Sequence, residues 1–539
     1  MIRRIGMALI LAACSGLAQD VSRMDQVVQS YVSDKKFMGS VLVARGDEVL
    51  LSKGYGSANL EWNIANSPDT KFRLGSVTKQ FTAASILLLE ERGKLKTDDL
   101  VKKYLPDAPA AWDKITIFHL LTHTSGIPNF TSFPDYAAQE PFATTPEKLV
   151  ARFRDKPLDF QPGEKWSYSN SGYVLLGYLI EKASGESYET FVQENIFGPL
   201  GMKDSGYDSN SAIIVRRAAG YVPGKDGPTN AGFIHMSVPF SAGALYSTTE
   251  DLLRWEQGLF GGKLLSAPSL TKMTAPFKDD YAFGVGVRTE SGHKVIYHGG
   301  GIEGFNTFLA YYPENKLTVV VLSNLNGGAL HEMARRLAAV AWGEKVELPS
   351  ERKEITVAPK ILEQYVGTYE LAPKVYMMIR LTDGQLISQI SGQETVPLFA
   401  KSETTFFPKV VDAEIDFGRD DRGVVSYLVL HQGGRDTKMP RTSETVVEKK
   451  EIVVPTKILA QYVGTYELHP GFDLVVTLEG DQLMTQATGQ DKFPIFAESE
   501  TRFFPKVMDA EIEFFKDGRG TVTHLMLHQG ANDMKGMRK

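Results

Sequence analysis

Apolar and polar positions alternate in short runs near both ends of residues 20–345, which is the pattern of antiparallel strands. Gly39–Ala44 and Glu48–Leu51 flank a turn that starts at Arg45, so they predict a β-hairpin. Further strands are predicted near the other end of the segment, at Lys294–His298, Asn306–Tyr312 and Leu317–Ser323. We therefore expect one antiparallel sheet assembled from both ends of this segment.

Segments with helical periodicity lie between these strands and after the last of them. The region from Gln80 to Gly262 is rich in helical patterns and in loops with turn residues. A last helix is predicted just before Gly343, because apolar residues three and four positions apart share one face: Leu330, Met333, Leu337, Val340 and Ala341. Residues 20–345 are therefore predicted to form an α+β unit, with a sheet and a helical subdomain.

The C-terminal part of the chain contains two copies of one sequence. Ile361–Asp436 aligns without a gap with Ile458–Asp533, 97 residues later. Short alternating stretches in each copy are separated by turn signals, and the only helical stripe is Ile361–Tyr365 and its counterpart. Each copy is predicted to be a small antiparallel β-barrel, the first over 354–441 and the second over 451–539. Exposed sheet faces can pair across subunits, so we expect any homo-oligomer to form through these barrels.

The N-terminal residues 1–19 have the pattern of an export signal. Two arginines precede the apolar run Ile5–Ala13, which is too short to span a bilayer as a helix. Cys14 follows Leu-Ala-Ala, an order that resembles the lipobox of bacterial lipoproteins. Lipidation of Cys14 would be the one membrane attachment, and ordinary cleavage after Ala18 is the alternative. Either case predicts a periplasmic or cell-envelope protein.

Composition and charge narrow the class of partner. The chain has 539 residues with a balance of 42% hydrophobic and 23% charged residues, which is typical of a folded protein of several domains. Its net charge of -6 offers no basic stripe for phosphates, so nucleic acid is excluded as an expected partner. Small molecules or peptides are expected instead. Cys14 is the only cysteine, so no internal disulfide can form.

Ser76 and Lys79 form the first chemical motif. Gly75 leads into an apolar stretch without a helix breaker before Gly93, so Ser76 is predicted to open a buried helix. Residues three apart share a helix face, and burial lowers the pKa of a lysine, which makes Lys79 a candidate base for a Ser76 nucleophile. The same spacing occurs elsewhere, at Ser33, Ser269, Ser291 and Ser350. Only Ser76 has the glycine-entered apolar helix.

Tyr168 and Asn170 form the second motif, in a loop before a helix predicted to begin near Gly172. An ammonium group nearby lowers the pKa of a phenol, so Tyr168 is expected to carry a proton between Ser76, Lys79 and the leaving group. Asn170 is expected to bond Lys79 and the substrate amide. A packed turn tyrosine with a capping asparagine is the alternative.

His298, Gly300 and Gly301 form the third motif, at the end of a predicted strand. Glycines here would let a substrate lie against the strand edge. The backbone N–H groups of Ser76 and Gly301 are then candidates for an oxyanion hole. A plain hairpin with several glycines is the alternative.

No metal and no cofactor is predicted. His119 and His123 have a spacing that metal ligands on a helix often show, but Leu120 stands where a zinc protease needs glutamate, and no third ligand is evident. Both histidines are therefore predicted to be structural. The Gly-x-Ser-x-Gly motif of α/β-hydrolases does not occur.

Ser76-x-x-Lys79, Tyr168-x-Asn170 and His298-x-Gly300 together resemble the three motifs of the serine β-lactamase and penicillin-binding-protein superfamily. The flanking phrases Leu120–Gly126 and Pro162–Gly172 resemble its class C branch. The resemblance implies a β-lactamase/transpeptidase-like fold with a site divided into catalytic residues, Ser76, Lys79 and Tyr168, and substrate-binding residues, Asn170, His298, Gly300 and Gly301.

The third motif departs from class C β-lactamases, which usually have lysine and then threonine or serine in place of His298 and Gly299. A neutral histidine anchors a carboxylate poorly, so efficient β-lactam hydrolysis is not expected. The histidine form and the two following barrels, which we expect to be lipocalin-like, are similar to D-aminopeptidases. The resemblance therefore implies a serine hydrolase of amide or ester bonds, either a D-aminopeptidase- or DD-peptidase-like enzyme or an esterase. Two alternatives stay open: a β-lactamase, and a cell-surface sensor that binds cell-wall peptides or β-lactams without turnover.

Overall fold

A computed structural model describes residues 20–539, apart from 329, 374, 412, 433–434, 445–450, 470 and 530–531. The predicted signal segment 1–19, with Cys14, lies outside the described residues. The chain divides into two compact units, one ending at Leu348 and the other beginning at Pro349. In the described part of the chain, no helix has the length and apolar content that crossing a membrane requires.

The first unit is built on an antiparallel sheet with strand order β10-β11-β12-β13-β1-β2. The strands are β1 Gly39–Arg45, β2 Glu48–Tyr55, β3 Ser57–Asn59, β4 Ile64–Ala65, β5 Phe72–Arg73, β6 Gly206–Tyr207, β7 Tyr221–Val222, β8 Thr229–Asn230, β9 Leu245–Ser247, β10 Gly286–Glu290, β11 His293–Ile302, β12 Phe305–Tyr312 and β13 Leu317–Ser323. In register, Val41 of β1 pairs with Val321 of β13. The prediction of one sheet made from both ends of the segment is confirmed.

Helices cover both faces of this sheet. They are α1 20–33, α2 Thr78–Glu91, α3 Ile117–Leu121, α4 Tyr136–Gln139, α5 Pro146–Arg154, α6 Asn170–Ser184, α7 Tyr188–Val192, α8 Gly198–Leu200, α9 Phe240–Gly243, α10 Thr249–Phe260, α11 Ala267–Met273 and α12 Leu330–Ala341. Alternate residues of β1 enter two separate cores, since Leu42 packs with the helical subdomain and Val41 packs with α12. The helical subdomain therefore lies on the opposite face of the sheet from α12.

The second unit contains two closed antiparallel barrels. The described strands of the first are β14 Gly367–Ala372, β15 Val375–Thr382, β16 Gln385–Ile390, β17 Thr395–Ala400, β18 Thr405–Pro408, β19 Ala413–Arg419, β20 Val425–Gln432 and β21 Arg435–Ser443. Those of the second are β22 Gly464–His469, β23 Phe472–Glu479, β24 Gln482–Ala487, β25 Phe493–Ala497, β26 Arg502–Pro505, β27 Ala510–Lys516, β28 Val522–Gln529 and β29 Asn532–Arg538. Short helices, α13 Pro359–Leu362 and α14 Thr456–Leu459, precede them. The predicted barrels are confirmed.

A repeated tyrosine contact fixes the entry to each barrel. Tyr369 is fully buried and donates its hydroxyl to the carbonyl oxygen of Tyr365 at 2.9 Å. Tyr466 makes the same bond to Tyr462 at 2.8 Å in the second copy. Burying a phenol while satisfying its hydroxyl lets the ring fill the barrel core without leaving an unpaired polar group. The repeat in sequence is therefore also a repeat in core contacts.

Glu256 on α10 is a buried acid outside the motifs. Glu256 is 2% exposed, and its Oε2 has no hydrogen-bond partner among the residues that the structure describes. Burial raises the pKa of the Glu256 carboxyl to about 8. The native protein therefore keeps this proton at pH values where the unfolded chain, with an ordinary glutamate pKa of 4.5, has lost it.

We predict that Glu256→Gln stabilises the first unit at pH 8. Between pH 4.5 and about 8 the native state binds more protons than the unfolded state, so the parent loses stability as pH rises, by about 1.4 kcal/mol per pH unit. The variant lacks this titration and is expected to gain a few kcal/mol at pH 8. Urea unfolding followed by tryptophan fluorescence at pH 5 and pH 8 measures the difference. Glu250→Gln, an exposed acid on the same helix, is the control, and equal pH slopes for parent and Glu256→Gln would contradict the prediction.

Candidate active site

Ser76 stands at the entrance to α2, within a single 3-10 turn, Gly75–Val77, that leads into the helix. Gly75 has φ of +53°, which favours glycine, and this turn puts Ser76 at the helix N-terminus. The helix from Thr78 to Leu89 is buried on all sides. The predicted buried helix is present, and its N-terminus favours negative charge near Ser76.

Lys79 lies one turn into this helix and is completely buried. Its Nζ is 3.0 Å from Ser76 Oγ, 2.8 Å from Asn170 Oδ1 and 2.9 Å from the Ala242 carbonyl oxygen. The last two atoms accept hydrogen bonds and cannot donate. Lys79 Nζ therefore lies within hydrogen-bond distance of three oxygen atoms, one of which is the serine hydroxyl.

The ionisation of Lys79 follows from this burial. Loss of water lowers the pKa of the amine well below its ordinary value of 10.5, and no carboxylate is within ion-pair distance of it in the described ranges. A neutral amine has two N–H groups and one lone pair. A neutral Lys79 would donate these two N–H groups to the two carbonyl-type acceptors and turn its lone pair to Ser76.

Tyr168 donates its hydroxyl to Ser76 Oγ at 2.7 Å, and its ring lies 4.9 Å from Lys79 Nζ. Burial raises the pKa of the Tyr168 phenol, and the bond to Ser76 opposes this only in part. The expectation of a lowered phenol pKa is therefore wrong for the resting site, because burial outweighs the bond to Ser76. Tyr168 is a neutral proton donor here.

Asn170 is the first residue of α6, which begins two residues earlier than predicted. Its Oδ1 accepts from Lys79 Nζ, and its Nδ2 donates to Thr131 Oγ1 at 3.2 Å. Its backbone N–H donates to Asn129 Oδ1 at 3.0 Å. These bonds fix the amide so that its oxygen faces the amine of α2.

His298 lies on β11, which continues through the glycines to Ile302 rather than ending at His298. Burial lowers the pKa of its imidazole to about 3. Nδ1 donates to the Gly299 carbonyl oxygen, so Nε2 accepts from the Tyr281 hydroxyl at 3.0 Å. The ring centre is 6.5 Å from that of Tyr168. His298 thus adjoins the site as a neutral, fully bonded ring and carries no charge for an anion.

The two glycines of the third motif have different surroundings. A Cβ on Gly75 would lie 2.9 Å from Gly301 N, so the chain beside Ser76 runs directly against Gly301. A Cβ on Gly300 would lie 2.0 Å from the Leu74 carbonyl oxygen, which excludes any side chain there. Gly301 therefore borders the turn that carries Ser76, whereas Gly300 packs against the backbone of Leu74, just after β5.

His123 is a neighbour of the site whose position the sequence did not reveal. It is buried, its Nδ1 accepts the Ser169 N–H at 3.2 Å, and its ring centre is 4.4 Å from that of Tyr168. Burial lowers its pKa well below the ordinary value, so it packs as a neutral ring beneath the tyrosine. The sequence predicts a structural role for His123 in place of metal binding, but not this contact with Tyr168. Across the described residues no group of histidine, cysteine and acidic side chains could hold a metal.

A pocket of about 190 Å³ opens beside Ser76. Its lining has an apolar part, with Phe130, Ile234, Pro239 and Ile302, and a polar part, with Ser76, Thr131, Tyr136, Asn170 and Glu303. A volume of this size holds a small group and is below the usual range for a drug-sized ligand.

Family models match both parts of the chain. The Beta-lactamase model matches residues 24–341. A domain of unknown function, DUF3471, matches twice, over 351–443 and 448–538.

Curated relatives include Penicillin-binding protein 4* of Bacillus subtilis, 30% identical over 76% of this chain and 95% of that protein. A putative penicillin-binding protein of the same organism, PbpX, is 32% identical over 57% of this chain and 75% of that protein.

Among solved structures, the octameric penicillin-binding protein homologue from Pyrococcus abyssi is 28% identical, with a TM-score of 0.56 over 78% of this chain and 100% of that one. The D-amino acid amidase from Ochrobactrum anthropi SV3 is 23% identical, with a TM-score of 0.55 over 61% of this chain and 99% of that one, which is a likeness of fold. The D-stereospecific amidohydrolase from Streptomyces sp. is 25% identical, with a TM-score of 0.52 over 60% and 99%. This chain belongs to the Beta-lactamase family, the serine hydrolases of β-lactamase and transpeptidase fold.

Proposed function

We propose that the chain cleaves amide or ester bonds through an acyl-enzyme on Ser76, and that peptides or amino acid amides are its preferred substrates. The observation that carries this proposal is the environment of the Lys79 amine. Its two N–H groups are used by Asn170 and Ala242, so its lone pair is available to the Ser76 hydroxyl proton. A base held in this way needs no further activation.

Acylation would begin with transfer of the Ser76 proton to Lys79 Nζ. Ser76 Oγ then bonds to the substrate carbonyl carbon, and the carbonyl oxygen becomes an oxyanion. The backbone N–H groups of Ser76 and Gly301 are the proposed donors to that oxyanion, supported by the close approach of Gly75 to Gly301. Each such donor contributes on the order of 3 kcal/mol in other acyl-transfer enzymes.

Tyr168 would complete acylation by protonating the leaving group. Once Lys79 has taken the serine proton it is an ammonium group 4.9 Å from the Tyr168 ring, and this new charge lowers the phenol pKa. The bond between the carbonyl carbon and the leaving nitrogen or oxygen then breaks as Tyr168 donates its proton to the leaving atom. Lys79 returns its proton to Tyr168. Water releases the acyl group by the same steps in reverse, which regenerates the Ser76 hydroxyl.

The third motif favours amides and peptides over β-lactams. His298 is neutral and both of its ring nitrogens are bonded within the protein, so it offers neither a cation nor a free donor to a substrate carboxylate. A D-amino acid amidase and a D-stereospecific amidohydrolase share the fold, which is consistent with amide substrates.

The remaining parts of the proposal concern export and assembly. We propose that residues 1–19 direct export to the cell envelope, and that Cys14 is the point of lipid attachment. Residues 20–345 would then be the hydrolase domain, and 354–441 and 451–539 the two barrel domains. Oligomerisation is supported by the octameric state named for the Pyrococcus abyssi homologue, and the barrels are the surface that we propose for it.

We predict that p-nitrophenyl acetate acylates Ser76 and that the acyl group then leaves. Intact-mass spectrometry after rapid mixing should show one added acetyl group that maps to Ser76 and decays as substrate is consumed. Ser76→Ala is the control and should show neither the adduct nor p-nitrophenol release above the rate in buffer. A stable adduct would support a sensor without turnover, and ester hydrolysis by Ser76→Ala would contradict the proposed nucleophile.

We predict that Tyr168→Phe harms amide substrates far more than activated esters. An aniline leaving group needs a proton, whereas p-nitrophenolate leaves without one, so kcat/KM should fall by about 100-fold for D-alanine p-nitroanilide and by much less for p-nitrophenyl acetate. Tyr188→Phe removes another buried hydroxyl, which bonds Thr82 at 2.7 Å, and serves as the matched control. Equal losses on both substrates would show that Tyr168 does not protonate the leaving group.

A further inference from the structure

Glu303 is a carboxylate that the three motifs do not include. It begins the tight turn between β11 and β12, directly after the strand that carries His298 and Gly301. The next residue, Gly304, has φ of +79°, and a Cβ there would lie 2.4 Å from Gly220 Cα. The turn can therefore be formed only with glycine at its second position.

Asn326 holds this turn in place. Its Oδ1 accepts the Gly304 N–H at 2.7 Å, and its Nδ2 donates to the carbonyl oxygens of Ile302 and Phe305 at 3.1 Å each. The residues on both sides of Glu303 are thus tied to one half-buried amide. Glu303 projects from a rigid turn and not from a loose loop.

Glu303 lies on the wall of the pocket and has one carboxylate oxygen without a hydrogen bond in the described chain. Glu303 lines the cavity together with Ser76 and Asn170. Its Oε2 is shielded from solvent and receives no hydrogen bond, and no lysine or arginine of the described chain pairs with it. Burial and then the charge of Glu303 raise the pKa of the Glu140 carboxyl, so a second acid lies near this wall of the pocket.

The position of the pocket shows which half of a substrate enters it. The proposed oxyanion donors, Ser76 and Gly301, lie on its lining, whereas Tyr168, which would protonate the leaving group, is not part of that lining as described. The leaving group must lie beside Tyr168, so the pocket receives the acyl half. With about 190 Å³ available, this half is one small residue.

We propose that Glu303 binds the protonated amino group of the acyl residue, so that the enzyme selects substrates with a free N-terminal amine next to the scissile bond. This inference rests on the proposed Ser76 hydrolase function. An α-amino group has a pKa of about 7.7–8.0 and is largely charged at neutral pH. It supplies the hydrogen-bond donors and the positive charge that the Glu303 carboxylate lacks, and a charge-assisted bond of this kind is the strong form of hydrogen bond. N-acylated residues and acyl groups with a carboxylate are disfavoured at the same wall.

The test compares binding of alaninamide and N-acetylalaninamide, each as separate D and L enantiomers, to the full chain. Binding is measured as protection of Ser76 from labelling by a fluorophosphonate, which does not depend on turnover. In the parent, the preferred enantiomer of alaninamide should protect at a concentration at least 10-fold lower than its N-acetyl form. In Glu303→Gln this ratio should fall by about 10–100-fold, the range expected when a charged hydrogen bond is lost. Glu303→Lys should favour N-succinylalaninamide instead.

Glu186→Gln, a change at an exposed acid between α6 and α7, is the control and should keep the parent ratio. Thermal melts identify any variant that does not fold, and the comparison within the parent remains valid in that case. Equal protection by the free and acetylated amides in the parent, or a ratio unchanged in a folded Glu303→Gln, would overturn the role of Glu303 while leaving the Ser76 hydrolase intact. Failure of the fluorophosphonate to label Ser76 at all would instead overturn the proposed function and this inference with it.

Discussion

Lys79 Nζ is enclosed by α2, α6 and α9, with two carbonyl-type oxygens and one hydroxyl as its only polar contacts in the described structure. Removing the amine from water disfavours its charged form, and the absence of a neighbouring carboxylate leaves that penalty uncompensated. The rest of the site depends on this constraint. In the proposed mechanism a neutral Lys79 accepts the Ser76 proton, and burial keeps Tyr168 a protonated phenol that can donate.

The fold follows from local patterns to a large extent. The hairpin of β1 and β2, the three strands β11 to β13 and the helix α12 were predicted from periodicity, and the sequence repeat predicted the two barrels. In these elements the apolar residues repeat with a clear helical or strand period, and turn residues mark the ends. Both signals depend only on residues close together in the sequence, so they can be identified without the structure. The predicted start of α6, near Gly172, was less accurate than these elements. The helix begins at Asn170, because helix ends are set by individual contacts such as the bond from Asn170 N–H to Asn129.

The site was predictable where it depends on spacing within one element, and not where it depends on contacts between elements. Because Lys79 follows Ser76 by three residues, the two side chains meet at the start of α2. Tyr168 then hydrogen-bonds to Ser76, and Asn170 hydrogen-bonds to Lys79. The pKa direction of Tyr168, the packing of His123 under its ring and the contact of Gly300 with Leu74 all require distant segments to meet. Glu303 had no signal in the sequence, since only its pocket and its lack of a partner distinguish it from other surface acids.

The central claim is that Lys79 is a neutral amine in the resting enzyme, and its ionisation can be measured directly. In protein labelled with ¹³C at the lysine Cε, the Lys79 resonance can be assigned by its loss in Lys79→Arg and followed from pH 5 to pH 11. We expect a Lys79 midpoint well below those of the other lysines, with the chemical shift of a neutral amine at pH 8. A Lys79 signal that titrates together with the exposed lysines, near their ordinary value of 10.5, would contradict it.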